Sequence, residues 1–112
     1  MQLARSTSAL AILWLSACGQ ATSDTATLYR NSSLNASMRI HFASFDTPED
    51  GYYNLSNCQM AARVLNANVD ANAERNGGSR DVSLGFWCES GGFNDEGMVP
   101  LSFESELPTD AR

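Results

Sequence analysis

Residues 38–45 alternate between apolar and polar side chains, the pattern of a strand with one buried face. An acidic turn at 46–51 separates this strand from a stretch whose apolar residues recur every three or four positions, as on one side of a helix. The stripe consists of Leu55, Cys58, Ala62, Leu65 and Val69. Ser56 with Gln59 has the spacing of a capping box and Asn54 is a competing N-cap, so we expect the helix to begin there.

The helical pattern ends at residues 76–78, and residues 82–89 predict a second strand. Residues 98–103 are a candidate third strand, which Pro100 would confine to an edge of the sheet. The order strand–helix–strand predicts a βαβ-like unit with parallel strands, because a helix provides the long crossover that such strands need. We therefore expect an α+β fold, a small domain of two layers.

The first residues of the chain have the features of a bacterial secretion signal. One basic residue precedes an apolar run that is too short to span a membrane, and small residues follow it. The sequence Leu15-Ser16-Ala17-Cys18 resembles the lipobox of bacterial lipoproteins. In that family the cysteine is acylated and the chain is cut just before it.

The resemblance implies a signal peptide at residues 1–17, a lipid on Cys18 and sorting to the outer membrane, because Gly19 rather than aspartate follows the cysteine. Two or more acyl chains hold a protein stably at a membrane. Cleavage after Ala21 is the alternative. It would remove Cys18 and release a soluble periplasmic or secreted protein.

The mature chain divides into three parts. Residues 18–37 are rich in Ser, Thr, Asn and Ala without a sustained period, which predicts a flexible tether with at most a short edge strand near Leu28. Residues 38–103 hold the predicted strands and helix, and residues 104–112 form a polar acidic tail. One small domain is therefore expected.

Cys58 lies on the predicted buried stripe of the helix, and Cys88 lies on the apolar face of the second strand. A helix packed on that face would bring the two thiols together, so we expect the disulfide that is typical of exported chains. A metal or redox site is the alternative, although two isolated cysteines and one histidine are few ligands. With this pair bonded, Cys18 is left over for acylation.

Thirteen acidic residues outweigh seven basic ones, and the net charge is −6. This balance argues against binding of nucleic acid and against electrostatic docking on anionic lipid. The acidic turns at 46–50 and 94–96 lack the spacing of a calcium-binding loop, so we predict no metal and no cofactor. An enzyme would have to use His41, the one histidine, with Asp46 or Glu49, and we predict that there is no catalysis.

The polar face of the two predicted strands is the candidate binding site, because arginine and aromatic side chains are typical of binding patches. The candidate residues are Arg39, His41, Phe45, Tyr52, Tyr53 and Trp87. Gly85 would leave a shallow notch beside Trp87. The alternative is that the tether, the third strand or a second copy of the protein covers this face, the last giving a homodimer.

Residues 40–46, 53–58 and 86–89 also resemble segments of small exported proteobacterial proteins. That resemblance implies no activity. From the anchor and the candidate face, the sequence predicts an envelope lipoprotein that binds another envelope protein or a cell-wall polymer. A soluble module that binds a ligand or metal, or a small enzyme using His41, are the alternatives.

Overall fold

The computed structural model describes residues 24–80 and 84–105, so the predicted signal peptide and Cys18 lie outside the described residues. Three strands and one helix are formed: β1 (Ala26–Asn31), β2 (Arg39–Phe45), α1 (Tyr53–Arg75) and β3 (Phe86–Ser90). The strands form one sheet in the order β2-β1-β3, antiparallel at both pairings, and α1 packs on one face of it. The α+β class and the strand–helix–strand order of β2, α1 and β3 are confirmed.

Strand β1 is the centre of the sheet, although its sequence predicted a tether or at most an edge strand. Both of its faces are buried: Ala26 and Leu28 pack in the core beneath the helix, and Tyr29 is buried on the other side. A strand covered on both faces does not show the alternation that marks a half-buried strand. Because β1 lies between β2 and β3, these two strands run parallel without being neighbours, and the expected direct pairing is wrong.

A β-bulge divides β2 into two parts with opposite orientation. Leu28 pairs with Ala43 and Tyr29 pairs with His41, so Phe42 is an extra residue without a partner on β1. One inserted residue reverses which side chains face the helix. His41 therefore lies on the sheet face away from α1, whereas Ala43 and Phe45 pack against the core under α1. The predicted grouping of Phe45 with His41 on one face is wrong for this reason.

The predicted apolar face of β2 is only partly covered. Met38, Ile40 and Phe42 are between a third and just over half exposed. Helix α1 packs mainly over β3 and β1 and extends little over β2. The outer strand of the sheet therefore keeps apolar side chains in contact with solvent.

Helix α1 begins earlier than the capping box predicted. Its first residue is Tyr53, and the N–H of Ser56 already donates to the carbonyl of Tyr52 within the first turn. Asn54 is no cap, because its side chain hydrogen-bonds the backbone and hydroxyl of Thr47 in the preceding loop. These hydrogen bonds connect the first turn of the helix to the loop that precedes it.

The predicted stripe of the helix does form the core. Cys58 and Ala62 are buried against the sheet, and Leu55, Leu65 and Val69 pack around them. Cys58 is bonded to Cys88 on β3, with an S–S distance of 2.00 Å and a Cα–Cα distance of 6.0 Å. The predicted disulfide is confirmed, and it joins the helix to an outer strand of the sheet.

Residues 91–105, which we call the C-terminal segment, form no strand, so the expected third strand at 98–103 is wrong. The third place in the sheet belongs to β1. Pro100 has no N–H to donate, and Gly97 has a φ of +152°, which an ordinary strand residue rarely adopts. The C-terminal segment instead crosses the sheet face opposite α1 and then reaches the helix, where the carbonyl of Glu104 accepts from Asn66.

Candidate functional site

The sheet face opposite α1 brings together several of the predicted site residues. The guanidinium of Arg39 lies over the ring of Tyr29, with its Cζ 4.0 Å from the ring centroid. Its Nη1 lies 2.5 Å from Oε2 of Glu89, and its Nε donates to the carbonyl of Asn94 at 2.8 Å. Only 3% of the Arg39 side chain is exposed. The guanidinium of Arg39 therefore already has its partners inside the domain.

Trp87 belongs to the same network. Its ring stacks on Tyr29 at 5.7 Å between centroids, and its indole N–H donates to Oε2 of Glu89 at 2.9 Å. The Glu89 carboxylate therefore accepts from both Trp87 and Arg39. Trp87 therefore helps to position Tyr29 and Glu89, and its indole N–H already has a hydrogen-bond partner.

The C-terminal segment closes this face. The ring of Phe93 lies 6.1 Å from that of Tyr29 and 5.2 Å from that of His41, centroid to centroid. The ring of Phe103 lies 6.0 Å from that of Trp87. A Cβ added to Gly85 would lie 2.2 Å from the Phe103 ring, so the notch predicted at this glycine is filled by Phe103. The chain itself covers much of the candidate face.

The remaining candidates lie elsewhere. Phe45 is on the helix side of the sheet, and Tyr52 and Tyr53 are exposed at the start of α1. All three lie near the Phe45 end of β2, and Arg39 is at the other end of that strand. The structure does not unite the six predicted residues into one surface.

His41 is hydrogen-bonded to a hydroxyl. Its Nε2 lies 2.8 Å from Oγ of Ser44, and no hydrogen bond or ion pair in the described ranges joins it to Asp46 or Glu49. The His–carboxylate pair on which the enzyme alternative depended is not formed in this arrangement.

No group of three or more His, Cys, Asp or Glu side chains within residues 24–80 and 84–105 is placed to hold a metal ion. In the same ranges, no helix has the length and hydrophobicity needed to cross a bilayer.

Three buried asparagines organise the fold, a role that no sequence pattern predicted for them. Asn31, Asn54 and Asn66 are all at least 98% buried, and each side chain bonds backbone groups. Asn54 and Asn66 continue the stripe of Cys58 and Ala62 at every fourth position of α1. An asparagine on a buried helical stripe is the signal that could have identified two of them, because a buried amide needs hydrogen-bond partners.

A cavity of about 180 Å³ opens beside β3, between α1 and the C-terminal segment. Its walls are formed by Gln59, Ala62, Arg63, residues 86–88 and residues 102–104. The Nε of Arg63 is buried and has no hydrogen-bond partner among the described residues. This cavity therefore has both polar and apolar walls, and one cationic donor in it has no partner among the described residues.

A second opening, of about 450 Å³, lies at the end of the sheet where β1 turns into β2. It is lined by Asn31, by Ala36 and Ser37 of the 32–38 turn, and by residues 97–101 of the C-terminal segment. Four large apolar side chains of these two loops are each more than half exposed. We call this the distal surface, formed by Leu34, Met38, Met98 and Leu101.

The fold and these sites define an α+β domain with a three-stranded antiparallel sheet and one disulfide. No protein-family model matches the chain, and no curated protein or solved structure is significantly similar to it.

Proposed function

We propose that this protein is a small cell-envelope lipoprotein, anchored through Cys18, that binds an apolar patch of another envelope protein and carries out no catalysis. The observation that carries the proposal is the distal surface. Leu34, Met98 and Leu101 are each more than four-fifths exposed on two adjoining loops. Large exposed apolar side chains on loops that line one opening are typical of protein–protein interaction sites.

The position of the distal surface supports a partner away from the anchoring membrane. The chain enters the domain at Ala26, and β1 carries it six residues along the sheet to Asn31, where the 32–38 turn begins. Six strand residues span roughly 20 Å. The distal surface and the end of the domain nearest Cys18 in the chain are therefore at opposite ends of β1.

The composition of the distal surface supports an apolar protein partner. Neither the 32–38 turn nor residues 97–103 contain a charged side chain. A charged polymer or an anionic lipid would find no counter-charge there. Two of the four apolar side chains are methionines, whose flexible thioethers adapt to a partner's shape.

Photo-crosslinking tests this proposal in cells that make the protein naturally. A photoreactive residue at Leu34 should give one discrete adduct with a different protein. The variant Met98→Ser/Leu101→Ser should abolish the adduct. The matched variant Met60→Ser/Val64→Ser changes two half-exposed apolar residues on α1 and should leave it intact.

Two results would overturn the proposed partner. An adduct only with a second copy of the chain would make the distal surface a homodimer interface. An adduct that survives Met98→Ser/Leu101→Ser would separate the crosslink from the apolar surface.

The anchor has its own test. Mass spectrometry of the mature amino terminus should find a diacylated Cys18 as the first residue. A mature chain that begins at unmodified Thr22 would instead support the soluble periplasmic or secreted alternative.

A further inference from the structure

We infer that the outer edge of β3, with which no other described strand pairs, binds the carboxyl terminus of an extended peptide, with the peptide's terminal carboxylate on Arg63. This site is separate from the distal surface, and its test does not depend on the anchor. The inference rests on three features: the direction of the backbone groups of β3, the residue that closes one end of its edge, and the unsatisfied arginine beside it.

The hydrogen-bond pattern shows which backbone groups of β3 face outward. The N–H of Asn31 donates to the carbonyl of Gly85, and the N–H of Gly91 donates to the carbonyl of Thr25. The backbone N–H and C=O groups of the odd-numbered residues of β3 therefore point toward β1. In an antiparallel ladder the alternate residues direct their N–H and C=O groups to the other side. Phe86, Cys88 and Ser90 thus present these groups to the outer edge.

Asn66 closes one end of this edge. Its side-chain Nδ2 donates to the carbonyl of Phe86 at 2.9 Å, and the N–H of Phe86 donates to its Oδ1 at 2.9 Å. A strand added along β3 can therefore pair with Ser90 and Cys88 but cannot continue past Phe86. A chain that ends at this point fits the edge, and a continuous strand does not.

Arg63 lies beside the place where such a chain would end. It precedes Asn66 by one helical turn, and it lines the cavity with Cys88. Its side chain is 13% exposed, and its one acidic partner among the described residues, Glu104, is 3.8 Å away and 71% exposed. The buried Nε has no partner in the described part of the chain. Buried donors without partners are rare, and an arginine fork is suited to two carboxylate oxygens.

These features together specify the ligand. A peptide running antiparallel to β3 would pair with the backbone of Cys88, a mode of recognition that adds one strand to a sheet. Its free carboxylate would bind Arg63 and displace Glu104. Its last side chain would enter the cavity between Ala62, Phe86 and Phe103, which favours an aliphatic residue.

Fluorescence anisotropy on the mature, disulfide-bonded protein tests the inference. The probe is the peptide Gly-Ser-Ala-Val-Leu with a dye on its amino terminus, as the free acid and as the carboxyl-terminal amide. The free acid should bind at least ten times more tightly than the amide. Arg63→Gln should remove this difference, because it removes the cation. Glu104→Gln should tighten binding of the free acid, because it removes the competing carboxylate.

Matched controls separate binding from folding. Arg75→Gln removes an exposed arginine from the last turn of α1 and should change neither affinity. Arg63→Gln should keep the thermal midpoint near that of the wild type, since Nε has no hydrogen-bond partner among the described residues and the ion pair with the exposed Glu104 is long, at 3.8 Å. Equal affinity for acid and amide would overturn the inference, as would unchanged discrimination in Arg63→Gln. N-acetyl-leucine competing as well as the unlabelled peptide would overturn the strand pairing.

Discussion

The side-chain amide of Asn66 bonds both backbone groups of Phe86, as a neighbouring strand would. The same Nδ2 also donates to the carbonyl of Glu104 at 2.9 Å. Asn66 is fully buried on the face of α1 that packs on the sheet. One side chain of the helix therefore joins the outer strand β3 and the C-terminal segment.

We expect Asn66→Ala to destabilise the domain by about 2–4 kcal/mol, because it leaves both backbone groups of Phe86 without a partner in a buried position. Urea unfolding of the mature protein measures this loss. Asn68→Ala, at an exposed position of the same helix, should have an effect below about 0.5 kcal/mol. Equal losses in the two variants would show that the Asn66 amide contributes nothing particular to stability.

Gly85→Ala should destabilise the domain by about 1–3 kcal/mol, because the new Cβ would lie 2.2 Å from the Phe103 ring. The fluorescence of Trp87, which contacts Phe103, should change as the ring is displaced. Gly92→Ala is the matched control, since its Cβ would meet no atom within 4 Å. In a Phe103→Ala background the cost of Gly85→Ala should largely disappear; a cost that persists there would mean that the strain lies in the backbone.

Removal of the disulfide by Cys58→Ala with Cys88→Ala should lower the free energy of unfolding by roughly 3.5 kcal/mol. The two residues are separated by 30 positions, so their bond restricts a substantial loop of the unfolded chain. Reduction of the wild type should lower stability by a comparable amount. An unfolding midpoint that is the same before and after reduction would contradict this prediction.

The ion pair between Asp70 and Arg80 should make the free energy of unfolding depend on pH in the acidic range. Arg80 donates to both carboxylate oxygens of Asp70 at 2.6 Å, and these hydrogen bonds hold the pKa of that carboxyl below its ordinary value. Because the folded pKa is lower than the unfolded one, the stabilisation is complete above the unfolded pKa of about 3.9 and is lost as pH falls through the folded pKa.

The measurement is urea unfolding of the wild type and Asp70→Asn between pH 6 and pH 2.5. The wild type should be the more stable at pH 6, and the difference should shrink below pH 4. A difference that stays constant over the whole range would show that the charge of Asp70 does not matter to the fold.

Local patterns were sufficient where an element has one buried face. The stripe around Cys58 and Ala62 predicted the helix, the alternation over residues 38–45 predicted β2, and the two together placed Cys58 near Cys88. Of the candidate face, the sequence predicted that Arg39, His41 and Trp87 share one side of the sheet, which the structure shows. These features depend on the spacing of residues that are close in the sequence, and this spacing can be determined from the sequence alone.

The tertiary structure decided what depends on contacts between distant residues. β1 is central because its two faces are covered by different parts of the chain, and a strand buried on both sides has no period to detect. The bulge at Phe42 moved Phe45 to the helix side, and the C-terminal segment closed the face around Arg39. Burial on both faces, register and coverage are set by packing across the whole domain, so no local pattern in the sequence contains them.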